Sequence, residues 1–315
     1  MRVWHGIEEI DISGSVVTIG NFDGVHRGHR AVLEATIARA RSLGLPAVAL
    51  TFDPHPAQVH RPGTTAPLLT GLTDRLALLA EVGIDATLVV RYTLEFADQS
   101  PEDFVTTYLL EALRARAVVV GEDTRFGRGN TGDRHTMAEL GARHGFTVDV
   151  LADVGDDGSG RWSSSGARRL IEAGDVVAAA EVLGRPHRMR GIVVRGHARG
   201  HELGFPTANL ATDATGTIPA DGVYAGWLRR HGGAGPAMPA AISVGTNPTF
   251  DDVVSRIVEA HVLGRDDLEL YDEEIVVEFI TLLRPTVRFD GIDALIAQMR
   301  LDVREAAAAL GTTTV

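Results

Sequence analysis

The sequence predicts an α/β domain with a parallel sheet, followed by a small antiparallel β-barrel that ends in a helix. Strand-like and helix-like segments alternate over the first half of the chain, which is typical of a parallel sheet. After Pro186, short strand candidates follow one another without intervening helices, which is typical of a barrel. Because 315 residues suffice for two domains, we predict domains 1–184 and 185–315, divided at the turn Gly184-Arg185-Pro186.

Short apolar runs rich in β-branched residues predict five strands in the first domain. They are Val16–Ile19, Ala47–Phe52, Ala86–Val90, Ala117–Gly121 and Thr147–Leu151. Helical segments lie between or after them: Ala31–Leu43, Leu72–Val82, Pro101–Ala115, His135–His144 and Gly174–Leu183. Ligands of such sheets bind beyond the carboxyl ends of the strands. We therefore expect a site where polar clusters follow three strands, at Asn21–His29, Asp53–Pro56 and Gly121–Asp133.

In the second domain the strand candidates are close together. They are Ile192–Arg195, Val223–Leu228, Ala240–Val244, Ile257–Leu263 and Ile275–Thr281. A single long helix, Ile292–Leu310, follows them. This pattern predicts the barrel and its C-terminal helix.

Composition excludes several classes of site. The chain has no cysteine, so it forms no disulfide, thiolate nucleophile or cysteine metal site. It has no lysine either, which excludes a Walker A phosphate loop and a Schiff-base enzyme. The net charge of −12 disfavours general nucleic-acid binding. Without a signal-like segment or an apolar run of about 20 residues, we expect a cytoplasmic protein that does not span a membrane.

The stretch Gly20–His29 predicts a phosphate site. A strand precedes it and a helix follows it, and its glycines let backbone N–H groups approach a ligand. A helix N-terminus offers unpaired N–H donors and partial positive charge. His26 and His29, three residues apart, are expected on one face of that helix. Taken alone, such a histidine pair is also compatible with an ordinary loop or a chance metal-like spacing.

Motif-like stretches occur in both halves of the chain. They are Gly20–His29, Asp53–Pro56, Gly121–Gly127, Ser163–Arg168, Gly204–Asn209, Gly245–Phe250 and Val258–His261. The first of them is similar to the HxGH signature of the nucleotidyltransferases. Together they resemble the bacterial bifunctional riboflavin kinase/FMN adenylyltransferases over nearly the whole chain. The resemblance implies a Rossmann-like nucleotidyltransferase domain and a barrel of the riboflavin kinase type, with riboflavin, FMN and FAD as substrates and products, ATP as co-substrate and Mg²⁺ as metal.

For the first domain the resemblance implies transfer of an adenylyl group to the FMN phosphate. The residues implied for ATP are Gly20, Asn21, Phe22, Asp23, Gly24, His26, His29, Ser163, Ser164, Ser165 and Arg168. His26, His29 and Arg168 would act directly on the phosphates. Those implied for the flavin are His55, Asp123 and Phe126. Outside this context, a surface salt bridge is the better interpretation of Arg168, and the serines indicate only a helix cap.

For the second domain the resemblance implies phosphorylation of riboflavin with Glu259 as the base. Strand periodicity alone leaves Glu259 equally compatible with an inward and an outward position. The residues implied for ATP are Gly200, Gly204, Phe205, Pro206, Thr207 and Asn209. The hydroxyl of Thr207 and the amide of Asn209 are hard oxygen ligands that suit Mg²⁺, although the same segment also reads as a turn. Partners are small molecules, and a homo-oligomer is left open.

Three positions depart from the family pattern. Thr124 stands where the family usually has an aromatic residue, Ser165 where it has threonine, and Asp272 where glycine follows a Leu-Tyr pair. Thr124 motivates an alternative, a riboflavin kinase whose adenylyltransferase half is weak or silent. A flavin-binding regulator without catalysis is a further alternative. A related adenylyltransferase acting on pantetheine phosphate or a nicotinamide nucleotide would leave the second-domain motifs without a role.

Overall fold

The computed structural model describes residues 1–63, 67–152, 155–156, 160–195, 205–247 and 255–312. The chain divides into two units. The first comprises Met1–Ala66 and Leu72–Ser163, and the second comprises Pro67–Gly71 and Ser164–Val315. Residues 164–184, which the sequence assigns to the first domain, therefore make their contacts within the second unit. The domain boundary at residue 184 stays a prediction.

Parallel strands and connecting helices build the first unit. Its main strands are β1 (Arg2–Trp4), β2 (Ser15–Ile19), β3 (Ala47–Asp53), β4 (Ala86–Arg91), β5 (Ala115–Gly121) and β6 (Thr147–Leu151). A short antiparallel ribbon pairs β7 (Gly155–Asp156) with β8 (Gly160–Arg161). The helices are α1 (Arg27–Leu43), α2 (Pro56–His60), α3 (Leu72–Val82), α4 (Leu94–Ala97), α5 (Pro101–Phe104) and α6 (Arg134–His144).

The main sheet of this unit has the order β1-β4-β3-β2-β5-β6 with every pair parallel, which confirms the predicted class. Alternate residues of its strands enter two apolar layers. Val17 and Val118 face one layer, whereas Val16 and Val119 face the other. Burial on both faces explains the continuous valine runs in the sequence. The carboxyl ends of β3, β2 and β5 are neighbours at the centre of the sheet.

Two features of the first unit differ from the prediction. Strand β1 has only three residues, too few to give a periodic signal. The helix expected over Pro101–Ala115 is α5 followed by a π-helical segment, Val105–Ala112. Arg114 has a φ of 48°, a left-handed conformation that no helix continues. The next strand therefore begins at Ala115, two residues before the predicted start.

The second unit is a closed antiparallel barrel, as predicted, but it has six strands where the sequence predicts five. They are β9 (His187–Val194), β10 (Ala208–Leu210), β11 (Gly222–Arg229), β12 (Met238–Asn247), β13 (Ser255–Val262) and β14 (Glu274–Pro285), in the order β10-β13-β12-β11-β14-β9. The helices of this unit are α7 (Ser164–Glu172), α8 (Val176–Leu183) and α9 (Ile292–Ala309). Strand β10 is absent from the sequence prediction because Ala-Asn-Leu contains no β-branched residue.

Helix α9 covers one side of the barrel. Its Ala306 and Ala307 pack with Ala225 and Ala241 of the strands. Both nitrogens of a fork on Arg284 donate to the carboxylate of Asp302, at 2.7 Å each, and Asp302 is almost fully buried. A bidentate pair of this kind fixes the orientation of the helix as well as its position.

Candidate functional site

The loop that follows β2 is folded tightly onto the core. Phe22, Gly24 and Val25 have φ angles of 48°, 81° and 38°, all in the left-handed region. The side chains of Phe22 and Val25 are nevertheless buried in the apolar layer beside Leu33. Burial of these two anchors holds the loop in a backbone shape that isolated residues rarely adopt. The loop thereby leads directly into the first turn of α1.

The two histidines meet at the N-terminus of α1. His26 is the N-cap residue, and its Nδ1 accepts a hydrogen bond of 3.3 Å from the backbone N–H of His29. The rings stack with a centroid separation of 3.7 Å and an angle of 21°. Since Nδ1 of His26 accepts, a neutral His26 carries its proton on Nε2. Two imidazoles at a helix N-terminus form a suitable site for an anionic ligand.

The segment that carries Ser163 lies against this helix start. The guanidinium of Arg27 sits 5.3 Å from the ring centroid of Trp162. A Cβ atom built on Gly28 would lie 3.2 Å from the His26 ring and 3.5 Å from the carbonyl oxygen of Trp162. Ser163 is therefore held close to the first turn of α1, and Gly28 leaves the space that this approach needs.

Because the His26 ring lies so close to Gly28, we predict that G28A slows adenylyl transfer without lowering the stability of the fold. Alanine favours helix by about 1 kcal/mol over glycine, so the unfolding temperature should not fall. The added methyl displaces the His26 ring, and we expect adenylyl transfer to slow by about tenfold. Thermal unfolding and both reaction rates, measured on one preparation, check this. An unchanged rate of adenylyl transfer would show that the ring position is unimportant.

The other predicted residues of this unit lie at the ends of β3 and β5. His55 is the N-cap of α2, with Nδ1 accepting from the N–H of Ala57 at 3.1 Å. Asp123 is exposed, and its carboxylate folds back toward Gly121. Phe126 is 6% exposed and packs on Phe104 at 5.8 Å. Its ring is thus mainly part of the core.

An aromatic cluster beside these residues was missed in the sequence. Phe52 is the next-to-last residue of β3 and contacts Tyr92 and Phe96 at 5.6 Å each. The hydroxyl of Tyr92 is 3.0 Å from Nε2 of His60, and burial raises the pKa of that hydroxyl. These residues come from three separate segments, so no local sequence pattern connects them. Flat aromatic groups at the carboxyl edge of the sheet are suitable partners for a planar ring system.

The second residue that sequence reasoning missed is Arg75 of α3. Its side chain is 1% exposed and reaches the ends of β2 and β3. Its Nη1 donates to the carbonyl oxygens of Asn21 and Phe52, at 2.9 Å each. A lone arginine in an amphipathic helix usually lies on the solvent face, so no sequence pattern indicates that Arg75 is buried.

Ser164, Ser165 and Arg168 belong to the second unit. Ser164 is the first residue of α7, Ser165 is exposed, and Arg168 follows one turn later. Nε of Arg168 donates to the carbonyl oxygen of Pro67 at 2.7 Å. The Nε group of Arg168 therefore makes a contact within the second unit, where it holds the segment at Pro67.

The barrel brings the predicted kinase residues together. Asn209 of β10 lies directly opposite Glu259 of β13 in the antiparallel register, so both side chains point to the same face. Val258 and Ala260 face the barrel core. Glu259 therefore points away from the core, which decides the orientation that periodicity left open. Nδ2 of Asn209 is 3.3 Å from Oγ1 of Thr207.

A cavity of about 220 Å³ adjoins this group within the second unit. Its lining includes Thr207, Asn209, Ala260, Leu270 and Tyr271. The cavity thus combines the predicted metal ligands with apolar and aromatic surface, which is typical of a small-molecule site.

His261 supports the segment that begins this site. Its Nδ1 lies 2.9 Å from the carbonyl oxygen of Pro206, and its ring meets Phe205 edge to face at 5.4 Å. Burial lowers the pKa of His261, which favours the neutral ring with a proton on Nδ1. Phe205 and Pro206 are thereby fixed beside the cavity. Gly200, Gly204 and the whole segment 248–254 lie outside the described residues.

Asp272 occupies a backbone conformation that suits glycine. Its φ is 62°, and its N–H donates to the carbonyl oxygen of Val193 at 2.9 Å. This explains why the resembling family usually has glycine after the Leu-Tyr pair. We expect D272G to stabilise the barrel by about 0.5–1 kcal/mol, since relief of the left-handed strain exceeds the entropy cost of glycine. Thermal unfolding beside the control D266G, which should destabilise, checks this, and a loss of stability in D272G would contradict it.

Two absences hold for the described part of the chain. No helix there is long and apolar enough to cross a membrane. No group of three or more histidine, cysteine or acidic side chains there is arranged to hold a metal ion.

Comparison with known proteins gives one result for each half of the chain. Residues 8–166 match the family model described as FAD synthetase, and residues 183–310 match the one described as riboflavin kinase. A solved structure described as a macrolide-efflux protein from Streptococcus pneumoniae is 28% identical, with a TM-score of 0.85 over 96% of this chain and 97% of that one.

Curated relatives match over nearly the full length. A bifunctional riboflavin kinase/FMN adenylyltransferase from Listeria monocytogenes is 36% identical over 92% of this chain and 90% of its own. One from Escherichia coli K12 is 33% identical over 99% of this chain and 98% of its own.

Proposed function

The chain belongs to the family of bifunctional riboflavin kinase/FMN adenylyltransferases and carries both activities, and on that premise we propose which residues perform each reaction. The substrates are riboflavin, FMN and ATP, and the product of the second step is FAD. The first unit transfers the adenylyl group and the second phosphorylates riboflavin.

In the first unit, the loop Gly20–His29 holds the ATP phosphates while a phosphate oxygen of FMN attacks the α-phosphorus and pyrophosphate leaves. The stacked pair of His26 and His29 carries this proposal. Positioned donors at a helix N-terminus stabilise the charge that develops on the phosphates, so little covalent chemistry is required of the protein. Asn21, Asp23 and Ser163 complete the phosphate side, and Ser164, Ser165 and Arg168 remain proposed contacts of ATP.

On the flavin side of the same reaction, His55, Asp123 and Phe126 remain the proposed contacts. The cluster formed by Phe52, Tyr92 and Phe96 extends that surface and is a suitable platform for the isoalloxazine ring. Thr124 adds no aromatic ring, and its N–H closes a turn onto Gly121 at 3.1 Å. The cluster therefore supplies aromatic contact that Thr124 does not.

In the second unit, Glu259 accepts the proton of the ribityl hydroxyl as it attacks the γ-phosphorus of ATP. The register that sets Asn209 opposite Glu259 carries this proposal, because it places the base and a polar ligand on one face. Phe205, Pro206 and the glycines Gly200 and Gly204 are the proposed nucleotide contacts.

We assign Mg²⁺ to Thr207 and Asn209. Both side chains supply hard oxygen atoms, both line the cavity, and Asn209 is 8% exposed, so the residues fit the metal. Bound there, the ion would offset negative charge on the transferring phosphate. Thr207 and Asn209 orient the site, and the two side chains are tied together because Nδ2 of Asn209 donates to Oγ1 of Thr207 at 3.3 Å.

The metal assignment predicts different effects of T207V and T207S. Valine keeps the volume but removes the oxygen, so the Mg²⁺ concentration for half-maximal kinase rate should rise about tenfold or more, whereas serine should change it little. Titration of Mg²⁺ in both reactions measures this. Equal Mg²⁺ dependence of T207V and the unchanged chain would remove Thr207 from the metal site.

The cytoplasmic location, the oligomeric state and the absence of nucleic-acid partners stay predictions.

A further inference from the structure

Arg75 is a buried cation that ties together the starting points of two loops. Its Nη1 is shared by three acceptors: the carbonyl oxygens of Asn21 and Phe52, at 2.9 Å each, and the hydroxyl of Thr51, at 3.2 Å. Asn21 is the second residue of the loop after β2, and Phe52 precedes Asp53 at the end of β3. Since β2 and β3 are neighbours, one guanidinium fixes the distance between the two loop origins.

The charge on Arg75 is balanced within the same region. Its Nη2 lies 3.6 Å from a carboxylate oxygen of Asp53. Burial lowers the pKa of the guanidinium, while the carboxylates of Asp53 and Asp23 oppose that shift. Arginine stays protonated in proteins, so a full positive charge lies beneath the two loops. The charge of Arg75 therefore lowers the repulsion between these two carboxylates and a polyanionic nucleotide.

The hydrogen bonds of Arg75 are incomplete. Its Nε and Nη2 are fully buried and make no hydrogen bond within the described residues. An arginine kept for stability alone would be expected to satisfy more of its five donors. Burying donors without hydrogen-bond partners lowers the stability of the fold. This indicates that the cation is retained for its effect on the two loops that it joins.

We propose that Arg75 is a positioning residue for FMN adenylylation, which holds the phosphate-binding loop and the end of β3 in register and offsets the charge of Asp23 and Asp53. It acts through these groups and does not touch the substrate. The inference rests on the proposed function of the loop Gly20–His29.

The test compares R75Q and R75K in both reactions of the full chain. In R75Q the fork and the charge are lost, and we expect the KM for ATP in FMN adenylylation to rise at least about tenfold with a lower kcat. R75K keeps the charge but not the planar fork of the guanidinium, so its KM for ATP should lie between that of the unchanged chain and that of R75Q. The riboflavin kinase rate should stay within about twofold in both variants, which makes it an internal control.

A merely structural role gives a different result. Partial unfolding would lower the amount of active protein but leave the KM for ATP unchanged in the remaining fraction. R143Q, which removes the surface pair of Arg143 with Glu102, is the matched control and should change neither reaction. If R75Q fails to fold, R75K decides the question, because a folded R75K with unchanged kcat and KM overturns the proposal.

The same experiment separates this inference from the function on which it rests. If H29A slows adenylylation while both Arg75 variants match the unchanged chain, the inference alone is overturned. If neither H29A nor R75Q changes adenylylation, the assignment of the loop itself is wrong.

Discussion

Replacing His29 with alanine is expected to slow FMN adenylylation by about 10²–10³-fold and to leave the riboflavin kinase rate unchanged. The change removes one of two stacked imidazoles at the start of α1 and with it a donor to the charge that develops on the phosphates. The N-cap is retained, because His26 accepts from the backbone N–H of residue 29. Steady-state rates from FMN and from riboflavin measure the two effects separately.

The control for this variant is E34A, an exposed change on the same helix that should alter neither rate. A loss of both activities in H29A would indicate unfolding, which thermal unfolding would detect. If H29A adenylylated FMN at the original rate, the two histidines would be ordinary loop residues.

Replacing Glu259 with glutamine is expected to slow riboflavin phosphorylation by about 10²–10⁴-fold, the usual contribution of a general base. Glutamine keeps the size and hydrogen-bonding shape but cannot accept the hydroxyl proton at neutral pH. Because Glu259 points away from the barrel core, the change should leave the fold intact. FAD formation from added FMN should continue at its original rate.

The matched control for Glu259 is E278Q on strand β14. Glu278 is a half-buried barrel glutamate whose carboxylate lies 3.5 Å from Arg229, and it is remote in sequence from the predicted motifs. Its replacement should change the kinase rate little. A kinase rate in E259Q equal to that of E278Q would show that another group, or none, removes the proton.

The sequence was most informative where periodicity and packing agree. The bounds of α3 match the prediction because its apolar residues Leu78 and Leu79 are buried in the layer that it covers. The bounds of the edge strand β6 also match, although none of its residues is fully buried. The strands β1 and β10 were not predicted, because a strand of three residues is too short to show an alternating pattern. The orientation of Glu259 could be determined only from the structure, since alternation along a strand defines two faces but does not show which of them is inward.

The candidate site was predictable in its motifs but not in its supports. The loop at His26 and His29 is recognisable in the sequence by its glycines and by the helix that follows it. Arg75 and the aromatic cluster at Tyr92 depend on contacts between distant segments, which no local pattern encodes. The left-handed backbone of Asp272 likewise emerges only in the folded chain.

The most direct test of two activities in one chain is to incubate the purified protein with ATP and Mg²⁺, once with riboflavin and once with FMN, and to separate the flavins by chromatography. We predict FAD in both incubations, with FMN appearing before FAD in the first. FMN as the final product from riboflavin, with added FMN left unchanged, would contradict an active adenylyl site and direct attention to Thr124.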